Sequence, residues 1–361
     1  MSKGRTRAYF LGANTPQGFS SLYDQFADST RGDFLYVIKG GPGSGKSSFM
    51  RFLGAAAEDA GLDVEYIRCS GDPDSLDGLY IPARGVAYAD GTVPHVLEPP
   101  FCGAGGAYID LGKYTDSAAM RPLLHEVSSL NRRYKDCYRR AYALLSGLPA
   151  LDGGTDGLCT PEDIEGVRRR ARSAANREMR KRGGTESETR RFLSAFSCKG
   201  RVVCTDTLSA LCDRVYLLDR GLGLSDVYLR EIALCAEKRG LARICCVDPL
   251  APDTLEAVLL PELSLGYAAG ELPDGLKSTA VRHIRLDRIP DGKRLDAARP
   301  QLKSLRKLRT QLLAEAQREL ERAKALHDEL EALYNPHVDF SGVSDEAQRH
   351  VDALLRRPEK G

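Results

Sequence analysis

The sequence predicts an α/β fold: two parallel sheets flanked by helices, each followed by coiled-coil-like helical sequence. Three observations carry this expectation. Phe34-Leu35-Tyr36-Val37-Ile38, a short apolar β-favouring run, passes through a Gly-rich loop into an amphipathic helix. The chain resembles itself once, at a spacing of about 180 residues. Apolar residues then recur at heptad spacing in two separate stretches. The expected division is an α/β unit over 1–115, a helical arm over 116–185, a second α/β unit over 186–290 and a C-terminal helical arm over 291–361.

Bulk properties narrow the class. A length of 361 residues with 42% apolar residues suits two domains with substantial cores. A formal net charge of +2 gives no bulk attraction to nucleic acid or membrane. Met1 to Arg7 leads straight into a strand, with no apolar leader or cleavage site, so no secretory signal is expected. No apolar run reaches the roughly 18–20 residues of a membrane helix. The ten Cys form no CxxC pair and no zinc spacing with His. Reduced cysteines used as small apolar residues fit a cytoplasmic protein.

In the first unit, Gly40-Gly41-Pro42-Gly43-Ser44-Gly45-Lys46-Ser47 matches the phosphate-binding pattern GxxxxGK[ST], in the strand–loop–helix context that the pattern requires. Glycines let successive amides converge on one anion without Cβ clashes. The helix N-terminus adds roughly half a positive charge. Gly41, Pro42, Gly43, Ser44 and Gly45 are expected to wrap the phosphates, Lys46 to meet the β/γ-phosphates, and Ser47 to ligate Mg²⁺. Ser48 closes the candidate set, with its hydroxyl expected to face the helix backbone or solvent. The helix carries Phe49, Met50, Leu53, Ala56, Ala57 and Ala60 to a C-cap at Gly61.

Val86-Ala87-Tyr88-Ala89-Asp90 reads as an apolar strand closed by a carboxylate, the pattern of the acid that orders Mg²⁺ in P-loop enzymes. A capped turn at Asp90-Gly91 is the alternative. His95 is a candidate to orient water or sense the γ-phosphate, or is a loop histidine without a task. Leu123, Val127, Leu130, Tyr134, Cys137, Ala141 and Leu144 form the first heptad seam. A basic helix follows from Pro161 to about Arg182, N-capped by Thr160 and carrying Arg168, Arg169, Arg170 and Arg172.

The second unit acts as an internal control. Phe10-Leu11-Gly12-Ala13 matches Phe192-Leu193-Ser194-Ala195, Tyr36 to Gly43 matches Tyr216 to Gly223, and Tyr88 to Gly91 matches Tyr267 to Gly270. Carried on from the matched loop, Lys46 falls on Asp226 and Ser47 on Val227, and with a small shift Asp90 falls on Ala269. An acid in the lysine's place repels a triphosphate, so the second loop is read as degenerate. The joint loss marks Lys46, Ser47 and Asp90 as candidates for chemistry. Leu302, Leu305, Leu308, Leu312, Ala316, Leu320 and Ala323 repeat the heptad seam, Asn335-Pro336 ends that helix, and a last short helix covers Ser344 to Arg356.

With these motifs in place, the chain resembles a poorly characterised family of bacterial ATPases built from two tandem P-loop units. The resemblance rests on Tyr9-Phe10, Asn14 to Phe19, Lys39 to Ser47, Cys69-Ser70, Asp74 to Gly78 and Asp90 to His95, and covers most of the chain. It implies ATP as ligand and a P-loop hydrolase fold. The family's second unit often keeps its own loop, and this chain departs there. The expected function is a Mg²⁺-dependent ATPase that couples hydrolysis to movement of the helical arms, with Lys46, Asp90 and His95 in catalysis and Ser47 and Asp90 on the metal. The alternatives are a small-molecule or nucleotide kinase, with its acceptor pocket between Cys69 and Pro82, and a non-hydrolysing ATP-gated interaction module. No Asn-Lys-x-Asp motif is present, which places ATP ahead of GTP. Expected partners are ATP and a protein, or a second copy, bound through the heptad helices. The basic helix admits nucleic acid, but without interleaved aromatics it does not favour it, and no membrane is expected.

Overall fold

The structure, a computed structural model, describes residues 3–93, 97–155, 157–180, 186–270, 276 and 279–360. Two six-stranded sheets organise the chain. The first comprises Thr6–Tyr9 (β1), Phe34–Lys39 (β2), Val64–Arg68 (β3), Leu76–Ile81 (β4), Val86–Asp90 (β5) and Gly106–Asp110 (β6). The second comprises Glu188–Arg191 (β7), Arg214–Leu218 (β8), Arg243–Asp248 (β9), Ala251–Leu260 (β10), Leu265–Ala269 (β11) and Ala280–Ile284 (β12). The spatial orders are β1-β3-β4-β5-β2-β6 and β7-β9-β10-β11-β8-β12, one order repeated strand for strand.

The expectation of parallel sheets needs correction. Both sheets are mixed, because β4 and β10 run antiparallel to both their neighbours. The cause is connection length. Only the turn Pro82–Arg84 and Gly85 separate β4 from β5, and a parallel crossover needs a dozen residues or more.

Helix Lys46–Asp59 (α1) buries Phe49, Met50, Leu53 and Ala57 on the first sheet, and Leu224–Glu237 (α4) buries Tyr228, Leu229 and Ile232 on the second. The opposite faces of the two sheets share one core, containing Phe10, Leu11, Phe192 and Leu193. At its centre, Phe10 and Phe192 exchange backbone hydrogen bonds of 2.9 and 3.0 Å, so two matched positions of the repeat pair with each other. Thr207, fully buried, ties the halves again: its Oγ1 accepts from Ala8 N at 2.8 Å and donates to Ala8 O at 2.5 Å.

The helical segments do not stay with the units they follow. The helices Leu124–Leu145 (α2) and Gly292–Tyr334 (α5) lie antiparallel, burying Leu130 and Cys137 against Ala323, Leu326 and Leu330, and Ala141 and Leu145 against Ala316 and Leu320. The two heptad seams thus face each other inside one chain. Beyond them, Pro161–Glu178 (α3) packs on α4 of the second unit, while Phe340–Arg356 (α6) packs on α1 of the first. Each half gives its last helix to the other. The basic helix, expected to reach Arg182, ends at Glu178, where Met179 turns to an extended conformation, and residues 181–182 lie outside the described set. The last helix begins four residues earlier than expected, because Asp339 caps the amides of Ser341 and Gly342.

All ten Cys are unpaired and seven are buried. Burial pushes the thiols of Cys204, Cys212 and Cys245 up to about 12, which leaves them unreactive. No helix among the described residues is long and apolar enough to cross a membrane.

Candidate functional site

The site forms where β2, on the inner part of the first sheet, ends and α1 begins. Apolar β2 is flanked by β5 and β6, so its carboxyl end is held from both sides. Gly43 and Gly45 take φ of 66° and 85°, a region that L side chains avoid, and Gly45 is the N-cap of α1. Ser44 N turns back to Gly41 O at 3.3 Å. The first-turn amides of α1 have no intrahelical partner, by helix geometry. Ser44 Oγ is buried and has no hydrogen-bond partner among the described residues. The loop therefore presents unpaired donors around a cationic centre, a donor set that fits a polyphosphate.

That centre is Lys46. Its Nζ donates to Gly40 O and Gly41 O, both at 2.9 Å, and lies 3.7 Å from Asp90 Oδ2. Both side chains are nearly buried, at 11% and 13% exposure, so this ion pair is poorly screened compared with a surface pair. Asp90 also makes the turn expected as the alternative: its Oδ1 accepts from Thr92 N at 2.8 Å and Thr92 Oγ1 at 2.6 Å. One carboxylate oxygen fixes the turn, and the other faces Lys46. Ser47 Oγ accepts from Leu76 N at 2.9 Å, which anchors the start of α1 to the start of β4. Ser48 is exposed. His95 lies outside the described residues.

Sequence reasoning missed three features here. Lys39, the last residue of β2, donates to Gly91 O at 2.7 Å and Leu97 O at 3.2 Å, clamping the segment after Asp90. Its place one residue before the glycine motif was the only signal. Tyr334 and Asn335, at the end of α5, rest on the loop. A Cβ on Gly41 would come within 3.0 Å of the Tyr334 ring, and one on Gly43 would overlap the Asn335 amide. With its amide nitrogen turned to the carbonyls, Asn335 donates to Gly43 O and Glu331 O at 3.1 Å each. No local signal about 290 residues away could have revealed that contact.

The third feature corrects the comparison with the second unit. Asp226 Oδ1 accepts from Leu255 N at 2.8 Å, as Ser47 Oγ accepts from Leu76 N. Arg230 reaches Asp253 O, as Arg51 reaches Asp74 O. Asp226 therefore stands in the place of Ser47, not Lys46, and Ser225 stands in the place of Lys46. The second loop is one residue shorter after Gly223, and α4 starts at Leu224, directly after that glycine. It still lacks the lysine. Arg220, at the place of Gly40, points away to Asp248 at 2.7 Å and Glu256 at 3.6 Å. Burial raises the pKa of Glu256, and the Arg201 charge opposes that shift. A Cβ on Gly221 or Gly223 would meet no described atom within 4 Å, so no described residue covers the second loop as Tyr334 and Asn335 cover the first.

Compared with known proteins, the chain matches no protein-family model, no curated protein and no solved structure.

Proposed function

We propose that the chain binds Mg·ATP at residues 40–47 and hydrolyses it. The observation that carries this reading is the placement of Lys46 Nζ, held by the loop carbonyls of Gly40 and Gly41 and 3.7 Å from a strand-end carboxylate. A lysine in that position exchanges weak carbonyl partners for phosphate oxygens when a triphosphate enters. The amides of the loop and first helical turn supply fixed dipoles for charge that grows in the transition state. A metal would be held by Asp90 Oδ2, since Asp90 Oδ1 is committed to Thr92, and by the lone pair that Ser47 Oγ keeps beside its bond from Leu76 N. Mg²⁺, when bound, neutralises charge on the β- and γ-oxygens. Base identity rests on the family resemblance and on the missing guanine motif.

The contact of Tyr334 and Asn335 supports coupling to movement. Helix α5 has 43 residues, about 64 Å at 1.5 Å per residue, and its far end reaches the second unit, where Arg294 pairs with Asp163 of α3 at 3.2 Å. A displacement at the loop therefore acts on the end of a long lever. Phosphate release by the purified chain, against Lys46→Ala, tests the reading. Release that requires Mg²⁺ and Lys46 is expected, and equal rates in both proteins would refute hydrolysis.

A further inference from the structure

A cavity of about 480 Å³ opens beside the loop that follows β3. Its size lies within the range of small-molecule sites. Strands β2, β3 and β5 are aligned in one direction, so the cavity and the phosphate loop share the edge formed by strand carboxyl ends. Helix α5 lines both: His327 faces the cavity, and Tyr334, seven residues and about 10 Å further along, rests on the phosphate loop. The two places are adjacent and distinct.

The wall is aromatic. Tyr134, Tyr138 and Tyr142 recur every four residues on one face of α2, with ring centroids 5.1 and 5.9 Å apart along the row. His327 extends the row from α5, at 5.9 Å from Tyr134. The floor is rigid: Tyr142 OH donates to Asn14 Oδ1 at 2.9 Å, and Asn14 Nδ2 donates to Ser70 O at 3.2 Å and Phe196 O at 2.8 Å. The rings are half-buried: they pack on the α2–α5 core on one side and line the cavity on the other. The rim carries Lys135, Arg139 and Lys324 together with the carboxylate of Asp72. Lys324 is paired with Asp72 at 3.4 Å and with Asp328, and Arg139 with Asp136 at 2.9 Å, so Lys135 is the rim cation with no ion-pair partner among the described residues.

We propose that this cavity binds a small planar aromatic anion, its ring against the tyrosine row and its carboxylate or phosphate toward Lys135 and Arg139. Aromatic faces reward flat ligands, and an unpaired lysine beside them selects a negative group. The inference does not depend on nucleotide binding.

Naphthalene-2-carboxylate is a suitable probe, followed by fluorescence anisotropy without nucleotide, because the chain has no Trp to compete for excitation. Saturable one-to-one binding is expected, with neutral 2-naphthalenemethanol about fivefold weaker or worse. Lys135→Gln, on an exposed site, should abolish most of that preference. Tyr134→Leu should weaken both probes about fivefold, with an unchanged circular dichroism spectrum. Lys46→Ala should bind the probe as the wild type does, whatever its ATPase rate. Non-saturable binding, equal affinity for acid and alcohol, or wild-type affinity in both Lys135→Gln and Tyr134→Leu would overturn the proposal. Loss of probe binding in Lys46→Ala would overturn the claim that the sites are distinct.

Discussion

Replacing Gly43 by alanine probes the contact between the phosphate loop and the end of α5. Two costs follow from the geometry. At φ of 66° an L residue pays about 1–2 kcal/mol for the left-handed conformation. The new Cβ also overlaps the Asn335 amide and would sit 3.2 Å from Glu331 O, so Asn335 must rotate away. That rotation breaks two hydrogen bonds of 3.1 Å, at about 1 kcal/mol net each. Gly43→Ala should therefore destabilise the fold by about 3–4 kcal/mol, and Asn335→Ala alone by about 2 kcal/mol. In the double variant the hydrogen bonds are lost only once, so its cost should fall about 2 kcal/mol short of the sum. Urea unfolding followed by far-ultraviolet circular dichroism measures all three. Additivity within about 0.5 kcal/mol would refute the argument, because residues that do not touch add.

Further consequences can be checked with single substitutions. Ser47→Ala and Asp226→Ala each remove the acceptor for a backbone amide at matched places, so both should cost about 1–2 kcal/mol in urea unfolding, but only Ser47→Ala should lower Mg²⁺-dependent phosphate release. Asp90→Asn keeps an oxygen for Thr92 and loses the charge beside Lys46, so turnover should drop about tenfold or more with little change in the spectrum of the folded state. Burial opposes ionisation of Glu346, but hydrogen bonds from Lys113, Arg349 and Tyr114 outweigh it and bring its carboxyl down to about 2. A carboxyl lowered by folding stabilises the fold above its unfolded value, near 4.3, and that contribution is lost as pH falls toward 2. The melting temperature of Glu346→Gln should fall less steeply than that of the wild type across this window.

What was legible in the sequence was local. The run from Phe34 to Ser47 specifies strand, turn and helix through properties of neighbouring residues, and the heptad stretches specify helices with one apolar face. The α/β class followed from these. The sense of β4 and β10 was not read, although the short turn at Pro82–Arg84 recorded it. The comparison of loops failed by one residue because matching at constant spacing slides past a deletion, and only paired hydrogen bonds, Ser47 with Leu76 and Asp226 with Leu255, fix the register. Lys46 and Asp90 were expected together and lie 3.7 Å apart. Tyr334 and Asn335 were invisible, since their role comes from where a 43-residue helix happens to end. Part of each heptad seam is covered within the chain, Leu130 to Ala141 lying against Leu312 to Ala323, while Leu308 of the second seam stays exposed.

The crossed placement of α3 and α6 bears on how the molecule can be divided. Val343, Ala347, Val351 and Leu354 complete the outer layer of the first sheet, and Val167, Ala171, Ala174 and Ala175 that of the second. Severing the peptide link between Glu178 and Glu188 would release neither part, because each remains hooked to the other by a borrowed helix, as in a dimer whose subunits have traded ends. A fragment carrying only the first sheet and its phosphate loop would be an unfinished object with a bare apolar flank, and would search for the missing piece in another molecule.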